Sequence, residues 1–209
     1  LGMMLVALTW WWARSLYGAW SGIFAAALTA FCPNVMAHSG LVTTDLGTSL
    51  AFLASIYGFW KFCQKPGLSR GASLGFLLGI ALVCKFTSLI LIPIMIALAG
   101  AYFWRGRKAL NWKAMGKGVT IALIISWLVL NTAYFWKGFG TRVSGYQFIS
   151  PMFTKKLTKI LPQGLPIPLP YDYVRGFDSM SFQNEAGGWS YLLGAVSYTH
   201  LRAHETVLD

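Results

Sequence analysis

Six long apolar stretches, joined by short cationic loops, limit what this chain can fold into more than any other feature. They stand at about residues 1–13, 17–37, 46–62, 71–84, 86–104 and 118–136. Of the 209 residues, 56% are hydrophobic and only 11% are charged, whereas a soluble domain averages about 25% charged. Hydrocarbon offers no water to unpaired backbone groups, so only helices and closed barrels cross it. The stretches are near-continuous and rich in Leu, Ile and Ala, without the two-residue alternation of barrel strands. The expected fold class is all-α: a polytopic transmembrane helical bundle of about six helices with an extracytoplasmic loop region.

The narrowest boundary is Lys85, which alone separates 71–84 from 86–104. Pro93 is expected to kink the second of this pair, and the alternative is one long bent helix. The charges favour two short helices. One side of the layout carries Arg14, the loop from Lys61 to Arg70 and the loop from Arg105 to Lys117, with nine Lys or Arg and no acid. The other side carries His38, Asp45, Lys85 and everything from Lys137 onward. Loops rich in Lys and Arg stay in the cytoplasm. The six segments alternate between the two sides only if the chain turns at Lys85. This expectation makes the protein a multi-pass cell (inner) membrane protein whose His38, Asp45 and Lys85 face outward. The same clustering explains the net charge of +11 as a topology signal, so the lipid bilayer is an expected partner and nucleic acid is not.

The expected organisation is a bundle over 1–136, an external loop region over 137–194 and a tail over 195–209. Within the loop region, residues 146–161 are read as an amphipathic surface helix with Lys155, Lys156 and Lys159 on its basic face. The proline-spaced run from Leu161 to Pro170 is read as extended. The polar tail resembles translated read-through and is set aside as an artefact, together with His200, His204 and Glu205. Because the chain opens at Leu1 in mid-helix pattern, it is read as a fragment.

Gly18/Gly22 and Gly71/Gly75/Gly79 repeat at four-residue spacing, which lets membrane helices approach closely. Trp10 to Trp12, Trp60, Trp104, Trp112 and Trp136 fall near segment ends, as an interfacial belt does. Cys32, Cys63 and Cys84 are read as small packing residues, with neither a disulfide framework nor a zinc site.

Asp45 is the only carboxylate before Asp172. An acid beside lipid-length segments is costly unless something uses it. A carboxylate there can accept a proton from a hydroxyl or hold a divalent metal, and Lys85 offers a point charge for phosphate. His38 can join either role. Plainer readings stand beside these: Asp45 as an N-cap for a helix starting near Leu46, Lys85 as a snorkelling end residue, and His38 as a structural histidine. Arg142 and Arg175 are external candidates for phosphate or sugar. The chain has no P-loop, G-x-G-x-x-G, H-E-x-x-H or G-x-S-x-G motif.

The run Pro33 to Leu46 (PNVMAHSGLVTTDL) resembles a segment of the membrane-embedded GT-C glycosyltransferases, specifically the protein O-mannosyltransferase-like family 39. Gly75 to Ser88 (GFLLGIALVCKFTS) is similar to that family's glycine-rich helix and lysine turn. Pro166 to Phe177 (PIPLPYDYVRGF) is similar to its external loop. Gly188 to Leu192 resembles the family's Gly-Trp-x-Tyr-Phe segment, from which Leu192 departs.

The resemblance implies an inverting enzyme that moves a sugar, mannose-like or related, from a polyprenyl-phosphate carrier to a hydroxyl acceptor on a protein or glycolipid, outside the cytoplasm. Asp45 would match the family's second acidic position, and Lys85 its lysine near the carrier phosphate. The family's principal acid lies in a loop ahead of Leu1, so this chain alone is expected to be inactive. The rival readings are a secondary transporter using Asp45 and Lys85 as coupling sites, and a non-catalytic subunit of a glycan-handling complex.

Overall fold

A computed structural model describes residues 1–41, 43–104, 112–157, 160–186, 189–192 and 195–198. The chain divides into two compact units, Leu1–Ala133 and Tyr134–Asp209. Arg105, Arg107, Lys108, Lys159, Gly188, His200, His204 and Glu205 lie outside the described residues.

The first unit is helical throughout its described length: α1 Gly2–Tyr17, α2 Ala19–Ala30, α3 Pro33–Ser39, α4 Thr44–Gln64, α5 Leu68–Cys84, α6 Leu91–Trp104 and α7 Trp112–Ala133. At 1.5 Å per residue, α4 is about 30 Å long, near the thickness of a bilayer core. Among the described residues, α7 is the one helix long and apolar enough by itself to cross a membrane. The pair α2 and α3 passes the same test together, as a broken span or a re-entrant loop bent by 61°.

That break corrects the single segment expected over 17–37. Pro33 has no N–H to donate, and its ring would strike the carbonyl of Thr29 if the helix ran on. It opens α3 instead, at the first position, where no donor is needed. Pro93, expected to kink the second helix of the pair, falls in the first turn of α6, where its missing N–H is tolerated. The turn at Lys85 is present: α5 stops at Cys84, Lys85 is extended at φ −161°, and a 3-10 turn from Phe86 to Ile90 leads into α6.

The glycine stripe of α5 sets the closest packing. A Cβ on Gly71 would lie 2.3 Å from the Gly118 carbonyl oxygen, and one on Gly75 2.4 Å from that of Ala122. Gly79 meets Val129 and Ser126 in the same way. These partners ascend together along both chains, so α5 and α7 run parallel. Gly58 of α4 faces Leu74 and Leu77 of α5, and the short connection between these helices makes them antiparallel. Gly22 packs against Trp10 and Arg14, as expected. Gly18 does not pack: it has open space around it and takes φ +93° to turn α1 into α2.

One end of this unit gathers aromatics and cations. Trp12 lies 5.6 Å from Tyr57 and 6.1 Å from Trp60. The Lys61 ammonium sits 4.9 Å from the Trp60 ring centroid, and Arg70 donates to the Lys61 carbonyl. Asp45 stands at the opposite end of α4, sixteen residues and about 24 Å away. Cys32, Cys63 and Cys84 are free thiols.

The second unit starts with a run of left-handed backbone at Phe135, Trp136, Gly138 and Gly140. Residues 140–144 then pair with the proline-spaced segment: Ile167 N–H donates to Thr141 at 3.0 Å, and Val143 N–H donates to Leu165 at 3.1 Å. Leu165 offers its carbonyl and Ile167 its N–H on either side of Pro166, which has no donor. The segment is extended there, but a turn at Gln163 and Gly164, closed by Leu165 N–H donating to the Pro162 carbonyl at 3.0 Å, interrupts the extension expected from Leu161 to Pro170.

The surface helix expected over 146–161 is replaced by extended backbone at 146–149 and a short π-helical turn, Met152–Leu157. Aromatic burial explains the change. Tyr146 stacks on Phe148 at 5.3 Å and on Tyr171 at 4.9 Å, and Phe148 stacks on Phe153 at 5.0 Å. Tyr146 and Phe148 share a face only at strand spacing.

After Pro170 comes α8, Tyr171–Ala186, a helix not anticipated from the sequence. It turns Tyr171, Val174 and Phe177 onto that aromatic core. The fold is overwhelmingly helical, consistent with the all-α expectation; a short antiparallel hairpin, β1 Trp189–Leu192 with β2 Ala195–Tyr198, is added to it. Its second strand is formed by the first four residues of the string set aside as a tail.

Candidate functional site

Three helix ends of the first unit meet around Asp45. Thr43 is the residue before α4 and is extended, so Asp45 is the second helical residue and not the N-cap. A carboxylate in the first turn is favoured by the positive end of the helix. Its Oδ1 accepts a hydrogen bond from Lys85 Nζ at 2.7 Å. Its Oδ2 lies 4.0 Å from Nδ1 of His38, the penultimate residue of α3. Thr43 Oγ1 is 3.4 Å from the same imidazole nitrogen.

Lys85 reaches this position because its turn is locked from behind. Ser88 is fully buried and donates to the Ala81 carbonyl at 2.6 Å, while Ser88 N–H donates to the Lys85 carbonyl at 3.0 Å. The backbone is thereby held while the lysine side chain projects. The sequence reading passed over Ser88. Its signal was a serine three residues beyond a lone cation between two apolar runs.

The side chains of Asp45 and Lys85 are 48% and 41% exposed. Asp45 stands just outside the apolar stretch 46–62, and the Lys85 hydrogen bond and charge hold its carboxyl below the ordinary carboxylate range. A half-exposed ion pair is weak and open to exchange. The cluster is therefore one carboxylate, one ammonium and one imidazole at a helix-end surface. It can bind an anion at Lys85 and accept a hydroxyl proton at Asp45.

An apolar groove of about 620 Å³ runs between α1, α2 and α3, lined by Val6, Trp10, Ala30, Met36 and Ser39 among others. Ser39, the groove's residue next in sequence to His38, lines it, whereas His38, Asp45 and Lys85 do not. Among the described residues, no three His, Cys, Asp or Glu side chains converge as metal ligands.

Arg142 and Arg175 belong to the second unit. Arg142 is exposed at the start of a 3-10 turn. Arg175 is exposed on α8, its guanidinium 5.7 Å from the Tyr171 ring centroid. Lys137 pairs with Asp172 at 3.4 Å. The second unit's Asp178 is 2% exposed, and its two oxygens accept from Ile149 N–H at 2.8 Å and Ser150 N–H at 3.0 Å. Asp178 is a clasp for the loop, and its acceptors are already used.

Comparison with known proteins places the first unit in a family. Residues 1–130 match the family described as dolichyl-phosphate-mannose-protein mannosyltransferase. The chain is also similar to the lipopolysaccharide core galacturonosyltransferase RgtA of Rhizobium johnstonii, 33% identical over 109 residues. That match covers 48% of this chain and 21% of the relative, so the chain spans well under two thirds of its length. No solved structure matches. The chain belongs to the dolichyl-phosphate-mannose-protein mannosyltransferase family of integral-membrane GT-C glycosyltransferases.

Proposed function

We propose that this chain is part of a multi-pass membrane glycosyltransferase that takes its sugar from a polyprenyl-phosphate carrier and passes it to a hydroxyl acceptor at the outer membrane face. The observation that carries the reading is the Lys85–Asp45 pair, 2.7 Å apart at three converging helix ends. The same unit holds an apolar groove between α1, α2 and α3, which Ser39, next in sequence to His38, lines. A lipid phosphate needs both: a cation for the head and an apolar channel for the tail. Lys85 meets the phosphate as a compact charge and steadies it as it departs. Asp45 is a supporting acid that orients the sugar or acceptor hydroxyl, with His38 steadying its second oxygen. Arg142 and Arg175 remain candidates for sugar or phosphate contact from the second unit.

The names of the family and of the relative support a sugar transferase but differ in sugar and acceptor. One names mannose and protein, the other galacturonate and lipopolysaccharide core. The proposal therefore extends to the carrier chemistry and the hydroxyl acceptor, on protein or glycolipid. The cationic end of the first unit, with Lys61 and Arg70, faces the cytoplasm in this reading. The test is Asp45→Asn in the full-length protein, with transfer followed from a radiolabelled polyprenyl-phosphate sugar. Loss of a supporting acid should lower turnover by about a hundredfold at unchanged membrane expression. Undiminished transfer would remove Asp45 from the site.

A further inference from the structure

The cluster has an unusual property for a substrate site: its only anion is paired with its phosphate-binding candidate. Lys85 Nζ is 2.7 Å from Asp45 Oδ1. While that contact stands, the cation is partly neutralised and the Asp45 oxygen is occupied. Neither side chain is trapped, since both are about half exposed. The backbone on each side is fixed, by Ser88 behind Lys85 and by α4 beneath Asp45. Only the long flexible lysine stem has to move for the pair to open. When it opens, Asp45 keeps the stabilising α4 N-terminus, with His38 Nδ1 4.0 Å from its Oδ2.

We propose that the Lys85–Asp45 pair is an exchange latch: a carrier phosphate takes Lys85 from Asp45 and so frees the Asp45 oxygen for a hydroxyl. The inference rests on the carrier-binding reading above. It adds an order of events, with the carrier bound first and the acid available second. Until a phosphate arrives, Oδ1 of the carboxylate that would steer a hydroxyl is held by Lys85.

The latch makes a counterintuitive demand on binding. Removing the carboxylate removes Lys85's competitor, so the carrier should bind more tightly to a variant that cannot transfer sugar. The experiment measures affinity for a sugar-free polyprenyl phosphate with the full-length protein in lipid nanodiscs. The same polyprenol without phosphate serves as the tail-only control. Asp45→Asn should tighten phosphate binding about fivefold, the size expected of a half-exposed ion pair, and leave polyprenol binding unchanged. Lys85→Gln should weaken phosphate binding at least tenfold. In the Lys85→Gln background, Asp45→Asn should change affinity less than twofold.

Unchanged or weaker phosphate binding by Asp45→Asn overturns the latch and leaves the carrier site standing. Equal tightening in both backgrounds also overturns it, because simple repulsion between Asp45 and phosphate then suffices. Failure of the wild-type protein to bind the polyprenyl phosphate overturns the carrier reading itself. Asp45→Ser serves as a second variant, with the same expected tightening, if the asparagine protein does not fold.

Discussion

The two units of this molecule each hold a carboxylate in a defined place, and the contrast between them separates chemistry from architecture. Asp45 is half exposed, bonded to a mobile ammonium and within reach of an imidazole. Asp178 is buried and bonded by two backbone N–H groups that cannot move without unfolding the loop they belong to. A partner that can leave makes a carboxylate available, whereas a partner built into the backbone makes it a fastener. Their packing differs in the same way. The first unit is drawn together by glycines that bring α5 onto the α7 backbone, and the second by stacked rings around Tyr146 and Phe153.

The sharpest way to break this contrast is to remove each carboxylate and measure thermal unfolding. Asp178→Ala leaves the Ile149 and Ser150 N–H groups buried without acceptors and should cost about 3 kcal/mol. Asp45→Asn should leave the melting temperature unchanged while transfer collapses. Equal destabilisation by the two variants would erase the distinction.

The next effect tests the packing half of the comparison. Gly75→Ala places a methyl 2.4 Å from the Ala122 carbonyl oxygen, so the helices must part, at a cost of about 2 kcal/mol. The same change at Gly164, where open space surrounds the residue, should be near neutral. A tolerated Gly75→Ala would mean that α5 and α7 pack less closely than described.

The smallest effect concerns the second unit's buried phenol. Burial pushes the Tyr173 hydroxyl up to about 12 from an ordinary value of 10.0. Below pH 10 the phenol is neutral in both folded and unfolded chains, so its contribution is fully present. Between about pH 10 and 12 the unfolded chain loses the proton first, and the second unit should lose stability as pH rises. An absorbance titration should show a late tyrosinate fraction, to which Tyr173 contributes alongside Tyr134 and Tyr146, whose hydroxyls burial also raises. Tyr173→Phe should remove the latest part of that fraction, and an unchanged titration would refute the assignment.

Much of the first unit was legible in advance because membrane helices advertise themselves by composition. The Lys85 turn, the glycine stripe and the neighbourhood of His38, Asp45 and Lys85 all followed from charge parity and four-residue spacing. The second unit was less legible. Gly176 and the prolines ahead of Tyr171 masked α8, although Tyr171, Val174 and Phe177 recur at helical spacing. The lysines of 146–161 suggested a surface helix, but the rings of Tyr146, Phe148 and Phe153 gain more from stacking in a core than from lying on a membrane. Local pattern does not reveal which rings will meet.

By itself the amino-acid order determined the helical character, the crowding of cations at one end of α4 and the three ionisable residues worth watching. Only tertiary structure decided that Lys85 Nζ would touch Asp45 Oδ1, that His38 would stand at the other oxygen and that Asp178 would be a fastener. The physical reason is range. Hydrophobic period and charge are properties of neighbouring residues, and the backbone expresses them locally. A 2.7 Å contact between residues forty positions apart exists only once α4 and α5 are packed and Ser88 has locked the turn between α5 and α6.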